Sequence, residues 1–128
     1  MVTISSGFVR EGKILIVDDE VKILKLLSRS LLRDGHDVKV TTDPTRALRL
    51  ISQEPFDVLI LDNRMPQLTG LEVLGKTQRA AAPPEVIMMT AFATVDTAVE
   101  AMKGGAVDYI QKPFDFDSMK EAVRRALG

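Results

Sequence analysis

Five short apolar runs alternate with five stretches of helical periodicity along this chain of 128 residues. Apolar runs that stop at polar side chains are typical of strands buried on both faces of a parallel sheet. Strands that alternate with helices predict an α/β domain, in which right-handed crossovers place helices on both faces of the sheet. The length indicates one domain with a core of its own. The predicted strands are 13–17, 37–41, 57–61, 85–89 and 106–110.

Capping and stop signals set the bounds of the predicted helices. Asp43 and Pro44 are typical of an N-cap and a first helical residue. Gly35 and the pair 104–105 are typical helix stops. Residues 1–12 show no clear periodicity and are predicted to form a leader before a domain of residues 13–128. The predicted helices are 21–33, one that begins at 44, 69–76, 94–103 and about 115–127.

Composition excludes several classes of protein. The chain has no cysteine and only one histidine, His36, which excludes disulfides, thiol chemistry and His-rich zinc sites. His36 follows a helix-stop glycine and is predicted to lie on the surface. The net charge of −1 argues against direct nucleic-acid binding. No apolar run approaches the ~20 residues that span a bilayer, and no secretory signal is visible, so we expect a cytoplasmic protein without a membrane partner.

Polar side chains follow four of the predicted strands at the edge where parallel sheets bind ligands. Asp18 and Asp19 follow the first strand, Asp62 the third, Thr90 the fourth and Lys112 the fifth. Three crowded carboxylates would repel each other, and a hard cation such as Mg²⁺ relieves that repulsion. A carboxylate nucleophile, a metal site and two oxyanion donors are the groups that phosphoryl transfer onto an aspartate needs.

Each of these residues also has an ordinary structural interpretation. A single aspartate after a strand usually caps the next helix. Glu20 is expected to be a first-turn acid favoured by the helix dipole. A lysine that precedes a proline, such as Lys112, is more often solvated than functional. The functional interpretation therefore depends on the convergence of all these residues at one edge.

Four segments of the chain resemble the receiver domain of two-component response regulators. They are residues 14–20, 61–71, 89–91 and 105–114, and the resemblance extends over about 13–127. It implies a doubly wound, flavodoxin-like fold with a five-stranded parallel sheet of order 2-1-3-4-5 flanked by five helices. Segments 88–91, 97–103 and 108–115 are similar to receivers of the NtrC class, which activate sigma-54 transcription.

The resemblance implies a role for each acid at the strand ends. Asp62 matches the phosphoacceptor. Asp18 and Asp19 match the pair that holds Mg²⁺, which Mn²⁺ can replace, with Asp19 as the direct ligand and Asp18 acting through water. Asp62 itself and the main-chain carbonyl of Arg64 complete the implied set of metal ligands.

The remaining motif residues match the family's phosphoryl-contacting and switch positions. Lys112 matches the lysine that contacts the phosphoryl group, and its bond to Pro113 would be cis in this family. Thr90 and Tyr109 match the two switch residues: the Thr90 hydroxyl moves inward, and the Tyr109 ring rotates from exposed to buried.

Two further positions, Arg64 and Phe92, match those that tune the lifetime of the phosphoryl group. A bulky, apolar Phe92 cannot orient water, so we expect slow autodephosphorylation. Beyond this self-catalysed turnover, the chain is not expected to be an enzyme.

The implied function is that of a phosphorylation-dependent switch with a transcriptional output. The partners implied are a sensor histidine kinase or phosphotransfer protein, and an output domain or a second copy bound through residues 94–127. Met102, Tyr109 and Met119 are predicted to lie on that face. The sequence leaves open whether the chain is a fragment or a stand-alone receiver.

Three other functions share the fold or the chemistry. A flavodoxin-like FMN binder would need a phosphate loop where this chain has the acids of residues 18–20. A phosphohydrolase would need a second acid at Arg64 to act as general acid and base. A degenerate receiver that signals without phosphate, as a protein-interaction module, is the nearest alternative.

Overall fold

A five-stranded parallel sheet forms the centre of the structure, a computed structural model that describes residues 11–128. Its strands are β1 (Lys13–Val17), β2 (Asp37–Thr41), β3 (Val58–Asp62), β4 (Glu85–Thr90) and β5 (Asp108–Gln111). They lie in the order β2-β1-β3-β4-β5, which confirms the predicted fold. Of the predicted leader, residues 1–10 lie outside the described residues, so the structure places only its last two.

Four helices connect successive strands and a fifth follows β5, so that helices cover both faces of the sheet. They are α1 (Val21–Arg33), α2 (Pro44–Gln53), α3 (Gly70–Thr77), α4 (Val95–Lys103) and α5 (Phe116–Leu127). Asp43 caps α2 as predicted, because its carboxylate accepts a hydrogen bond from the Thr45 N–H. Thr69, Thr94 and Asp115 cap the last three helices in the same way. Within residues 11–128, every helix is too short or too polar to cross a membrane.

The strand ends differ slightly from the prediction. β5 begins at Asp108 rather than at residue 106, because the Ala106 N–H still bonds to the Ala101 carbonyl at the end of α4. β3 and β4 each extend one residue further than predicted, to Asp62 and Thr90. Both side chains at the functional edge are therefore held by strand geometry rather than by a loop.

Alternate strand residues face two separate apolar layers. Ile16 packs beneath α1 and α5, whereas Leu15 packs beneath α2 and α3. Met119 belongs to the first layer and is fully buried, so its predicted place on an exposed face is wrong. One side of α5 carries Met119, Ala122 and Val123. Burying a side chain as large as that of Met119 contributes about 2 kcal/mol to the free energy of folding.

His36 is buried, so its predicted surface location is also wrong. Gly35 has a φ of +91°, and this turn brings the next residue back towards the sheet. The imidazole Nδ1 of His36 accepts a hydrogen bond of 3.1 Å from the Gly12 N–H. Burial lowers the pKa of His36, and the neutral ring can accept this bond only at an unprotonated nitrogen.

Candidate functional site

The carboxyl ends of four strands meet at one edge of the sheet. Val17 pairs with Leu61, and Asp62 pairs with Met89, so the ends of β1, β3 and β4 are level. The Lys112 N–H donates to the Thr90 carbonyl at 2.7 Å, which brings the residue after β5 to the same edge. Parallel register therefore collects side chains that are far apart in the chain.

Three carboxylates come together at this edge. Asp18, Asp19 and Asp62 each offer an oxygen within 4.8 Å of the others. Asp18 is fully buried and Asp62 is nearly so, whereas Asp19 is exposed. One Asp18 oxygen accepts the Glu20 N–H at 2.8 Å, which fixes the start of the following helix.

The side chain of Lys112 lies inside this acidic cluster. Its ammonium is 2.7 Å from Asp18 Oδ2, 3.3 Å from Asp62 Oδ1 and 3.4 Å from Glu20 Oε1. Only 10% of the side chain is exposed, so the solvated-lysine interpretation is wrong. Sequence reasoning missed the Glu20 contact and treated Glu20 only as a helix acid. The run of three consecutive acids at residues 18–20 was the sequence feature that could have indicated this contact, because its third member, Glu20, also lies at the edge that Lys112 reaches.

Burial and mutual repulsion disfavour the ionised carboxylates. Burial, together with the charge on the neighbouring Asp18, raises the pKa of Asp62 to about 6, and the Lys112 ammonium offsets only part of this rise. Burial also raises the pKa of Asp18. Burial alone would lower the pKa of Lys112, but its hydrogen bond to Asp18 and the charge on Asp62 outweigh this, and the pKa is raised. The cluster therefore holds more negative charge than its one buried cation neutralises.

The donor set fits a hard divalent cation. Carboxylate oxygens from Asp18, Asp19 and Asp62 lie close enough together to share one ion. Asp19 and Arg64 line the same cleft, whose volume is about 430 Å³. Oxygen ligands of this kind suit Mg²⁺, Mn²⁺ or Ca²⁺ rather than a soft metal.

Gly70 keeps the loop after β3 close to α3. A Cβ at this position would lie 2.6 Å from the Asn63 Cα and 2.8 Å from the Asp62 carbonyl oxygen. Its N–H donates to the Asn63 carbonyl at 2.9 Å. Any side chain here would displace the loop that carries Arg64, so the backbone next to Asp62 depends on this glycine.

Arg64 and Phe92 contact each other across the mouth of the site. The guanidinium carbon lies 4.2 Å from the centroid of the Phe92 ring, a cation–π contact. This contact joins the loop after β3 to the loop after β4. Phe92 nevertheless remains 62% exposed, and nothing in the sequence pattern predicted that the two side chains stack.

Thr90 and Tyr109 are held by separate partners. Thr90 is 1% exposed, and its hydroxyl accepts the Phe92 N–H at 3.1 Å. The Tyr109 hydroxyl donates to Thr97 Oγ1 at 2.8 Å, and the ring is half-buried rather than exposed. This bond holds the ring along α4, and the rotation of the ring from exposed to buried stays a prediction. Next to the site, the peptide bond between Lys112 and Pro113 is cis.

Comparison with known proteins points to one family. The family model described as "Response regulator receiver domain" matches residues 14–124. The regulatory protein AtoC of Escherichia coli is 40% identical over 116 residues, which are 91% of this chain and 25% of AtoC. The chain thus spans about a quarter of the length of the curated relatives it matches. The predicted resemblance to receivers of the NtrC class is confirmed by these similarities.

Solved structures agree with this similarity. A CheY-like receiver domain from Methanospirillum hungatei superimposes with a TM-score of 0.87 at 29% identity, over 92% of this chain and 94% of the other. A response regulator from Burkholderia pseudomallei, crystallised with a phosphorylated aspartic acid, a calcium ion and citrate, gives 0.80 at 27% identity, over 88% and 66%. Both likenesses extend over nearly all of the sheet and helices described above.

Proposed function

Since this chain belongs to the family of response regulator receiver domains, we propose that Asp62 accepts a phosphoryl group from a sensor histidine kinase or phosphotransfer protein when Mg²⁺ is bound. Receiver domains are signalling modules rather than classical enzymes. The observation that best supports the proposal is the position of the Asp62 carboxylate, between Lys112 and two further acids. The phosphorylated aspartic acid of the Burkholderia pseudomallei relative supports it by analogy.

In the transfer, an oxygen of the ionised Asp62 attacks phosphorus as the bond to the donor's histidine nitrogen breaks. The donor's phosphohistidine ring, protonated on its other nitrogen, takes the electron pair of the broken bond and leaves as a neutral imidazole, and Asp62 becomes an acyl phosphate. Lys112, already 3.3 Å from Asp62, follows the incoming charge and pairs with a phosphoryl oxygen. The Thr90 hydroxyl, at the end of the neighbouring strand, donates to another phosphoryl oxygen.

Asp18, Asp19, Asp62 and the Arg64 carbonyl would hold Mg²⁺, or Mn²⁺ in its place. When bound, the cation neutralises charge that would otherwise repel the phosphoryl group. Without it, the phosphoryl dianion would meet three carboxylates and a single ammonium. At ~4 Å, each like-charge pair costs about 4 kcal/mol at an effective dielectric near 20.

The Arg64–Phe92 pair supports a long phosphoryl lifetime. Hydrolysis needs a water aligned behind phosphorus, and an acid or amide would align it best. The guanidinium already faces an aromatic ring, and the ring has no polar atom to orient water. We therefore assign slow autodephosphorylation to these two side chains acting together. A phosphohydrolase would need a second acid at position 64 to act as general acid and base. Arg64 cannot fill that role, which argues against a phosphohydrolase.

The output surface of the proposed switch is the face that α4, β5 and α5 form within residues 94–127. Val95, Val99 and Met102 are exposed at helical spacing on α4. Glu100 and Lys103 lie among them, and this mixture suits a weak, switchable contact with an output domain or a second copy. The buried Met119 is not part of this face.

Phosphorylation by a small acyl phosphate tests the proposal. The protein is incubated with acetyl phosphate in Mg²⁺, in Mn²⁺ and in EDTA, and the intact mass is measured. We expect one added phosphate with either cation and none in EDTA. Phosphate that adds equally well in EDTA would overturn the metal's role. A chain that never gains phosphate, from acetyl phosphate or a kinase, would favour the phosphate-independent alternative.

A further inference from the structure

The hydroxyl of Thr97, in the first turn of α4, is shared by the helix cap and by Tyr109. Its oxygen accepts the Thr94 N–H at 3.0 Å and the Tyr109 hydroxyl at 2.8 Å. Its hydrogen can be donated to the Thr94 carbonyl at 3.1 Å. The Thr94 hydroxyl oxygen also lies 3.1 Å from the Thr97 oxygen. A hydroxyl has two acceptor sites and one donor site, so these four contacts use all of its capacity. The Thr97 N–H in turn donates to Thr94 Oγ1, which completes a capping box.

This arrangement links the tyrosine to the helix through one atom. Tyr109 lies on β5, paired with Met88 on β4, two residues before Thr90. Its ring packs against the apolar layer under α3 and α4, and its hydroxyl is the polar end that needs a partner. The ring cannot leave this position without breaking the bond to Thr97. When that bond breaks, the first turn of α4 loses a hydrogen-bond partner at its cap.

We propose that Thr97 is the positioning residue for Tyr109: it holds the ring along α4 in the unphosphorylated arrangement and ties rotation of the ring to the first turn of that helix. The inference deepens the proposed output switch and rests on it. The hydrogen bond between Thr97 and Tyr109, called the tether below, is nevertheless present in the unmodified protein. A hydrogen bond of this kind shifts an equilibrium between two side-chain positions roughly two- to tenfold. That size suits a switch, because a phosphoryl group can overcome it.

The tether also connects the site to the exposed surface of α4. Val95 lies inside the capped turn, between Thr94 and Thr97, and is 80% exposed. Val99 follows one turn later and is also exposed. Loss of the Tyr109 bond at this turn would therefore change how the start of this apolar stripe is presented to a partner. Thr97 thus couples the rotation of Tyr109 to the surface that an output domain or second copy would contact.

The chain has one tyrosine and no tryptophan, so its intrinsic fluorescence reports Tyr109 alone. The test measures acrylamide quenching and the NMR signal of ring-labelled tyrosine in the unmodified protein. Thr97→Val removes the hydroxyl at nearly constant shape, whereas Thr97→Ser keeps it. Thr94→Val is the matched control, because it weakens the same cap but leaves the acceptor for Tyr109.

We expect Thr97→Val to change both the acrylamide quenching and the ring NMR signal of Tyr109. The population of molecules with the ring in its wild-type place along α4 should fall roughly two- to tenfold. Thr97→Ser should restore the wild-type signals, and Thr94→Val should change them far less than Thr97→Val. Wild-type signals in Thr97→Val, or an equal change in Thr94→Val, would overturn the tether. If Thr97→Val fails to fold by circular dichroism, Tyr109→Phe replaces it. The Thr94 and Thr97 amide signals must then shift, and unchanged signals would overturn the proposal.

Beryllofluoride with Mg²⁺ separates this inference from the proposed function. In the wild type it should move the Tyr109 ring away from its place along α4. In Thr97→Val a lower beryllofluoride concentration should produce the same movement. If beryllofluoride never moves Tyr109, the proposed switch fails although the tether remains visible in the unmodified protein. If beryllofluoride acts equally on the wild type and Thr97→Val, the switch stands and the role of Thr97 is refuted.

Discussion

The Lys112 ammonium makes its shortest ion pair, 2.7 Å, with the fully buried carboxylate of Asp18 rather than with Asp62, from which it lies 3.3 Å away. Lys112 therefore stabilises the buried acid in the resting protein and remains close to the proposed phosphoacceptor. A phosphoryl group on Asp62 would compete for the same ammonium, since phosphoryl oxygens are strong acceptors for a charged donor. Asp18 would then depend more heavily on a bound cation.

Removing this lysine should destabilise the fold. Lys112→Met leaves two buried carboxylates without their cation, and breaking a buried pair in this way costs about 3 kcal/mol. Lys120→Met is the matched control, because Lys120 pairs with Asp34 at 3.4 Å where the two side chains are 30% and 34% exposed, against 10% and 0% for Lys112 and Asp18. Urea unfolding in EDTA measures both variants. Equal stability of the two variants would show that the buried pair contributes nothing.

The stability of the metal-free protein should depend on the ionisation of Asp62. Its folded-state pKa of about 6 lies above the ordinary 3.8, so folding favours the protonated carboxyl. The resulting penalty is present above pH 6 and disappears as the pH falls from 6 towards 4. Asp62→Asn should therefore stabilise the protein by about 3 kcal/mol at pH 8 and by little at pH 4. His36 titrates in both proteins, so its contribution cancels.

Urea unfolding of wild type and Asp62→Asn across this pH range, in EDTA, measures the effect. Added Mg²⁺ should narrow the difference at pH 8, because it stabilises only the protein with the full set of acids. A difference in the free energy of unfolding that stays constant with pH would argue against a raised pKa at Asp62.

Replacing Phe92 should shorten the lifetime of the phosphoryl group. Phe92→Glu places a carboxylate where it can orient water, and we expect hydrolysis to accelerate roughly tenfold or more. Phe92→Leu also removes the contact with Arg64 but adds no polar atom, so it isolates the effect of the carboxylate. The decay of phosphorylated protein is followed by intact mass after the donor is removed. A decay in Phe92→Glu that is no faster than in the wild type would contradict this assignment.

The Thr90 hydroxyl should be required for the output. Beryllofluoride with Mg²⁺ is expected to change the self-association of the wild type, and Thr90→Ala should abolish that change while still binding the ligand. Thr77→Ala is the control, because Thr77 is equally buried but donates within its own helix to Leu74. Sedimentation measures both. A response that persists in Thr90→Ala would place the coupling elsewhere.

Patterns within single elements predicted the fold and the positions of the site residues. The apolar run of residues 13–17 ends at Asp18, and the run of β3 ends at Asp62, so strand periodicity alone located both acids at one edge. The spacing of Met119, Ala122 and Val123 also marks the inner side of α5. The burial of Met119 could therefore have been predicted from helical periodicity, and placing it on the exposed face overlooked that pattern.

Contacts between residues distant in the chain could not be predicted in this way. The Gly12–His36 bond, the Arg64–Phe92 stack and the Thr97–Tyr109 bond each join two elements whose relative placement depends on the packed sheet. Each also uses a side chain that local rules assign to the surface or to a cap. Only the packed fold decides which of several possible partners such a side chain meets.

Chemical identification of the modified residue tests the central claim most directly. The protein is phosphorylated with acetyl phosphate in Mg²⁺ and reduced with borohydride, which converts a phosphoaspartate into homoserine, and its peptides are sequenced by mass spectrometry. We predict homoserine at position 62 alone, and none anywhere in Asp62→Asn treated in the same way. Homoserine at position 18 or 19 in the wild type, or an unmodified Asp62 in protein that has gained one phosphate, would contradict the assignment of Asp62 as the phosphoacceptor.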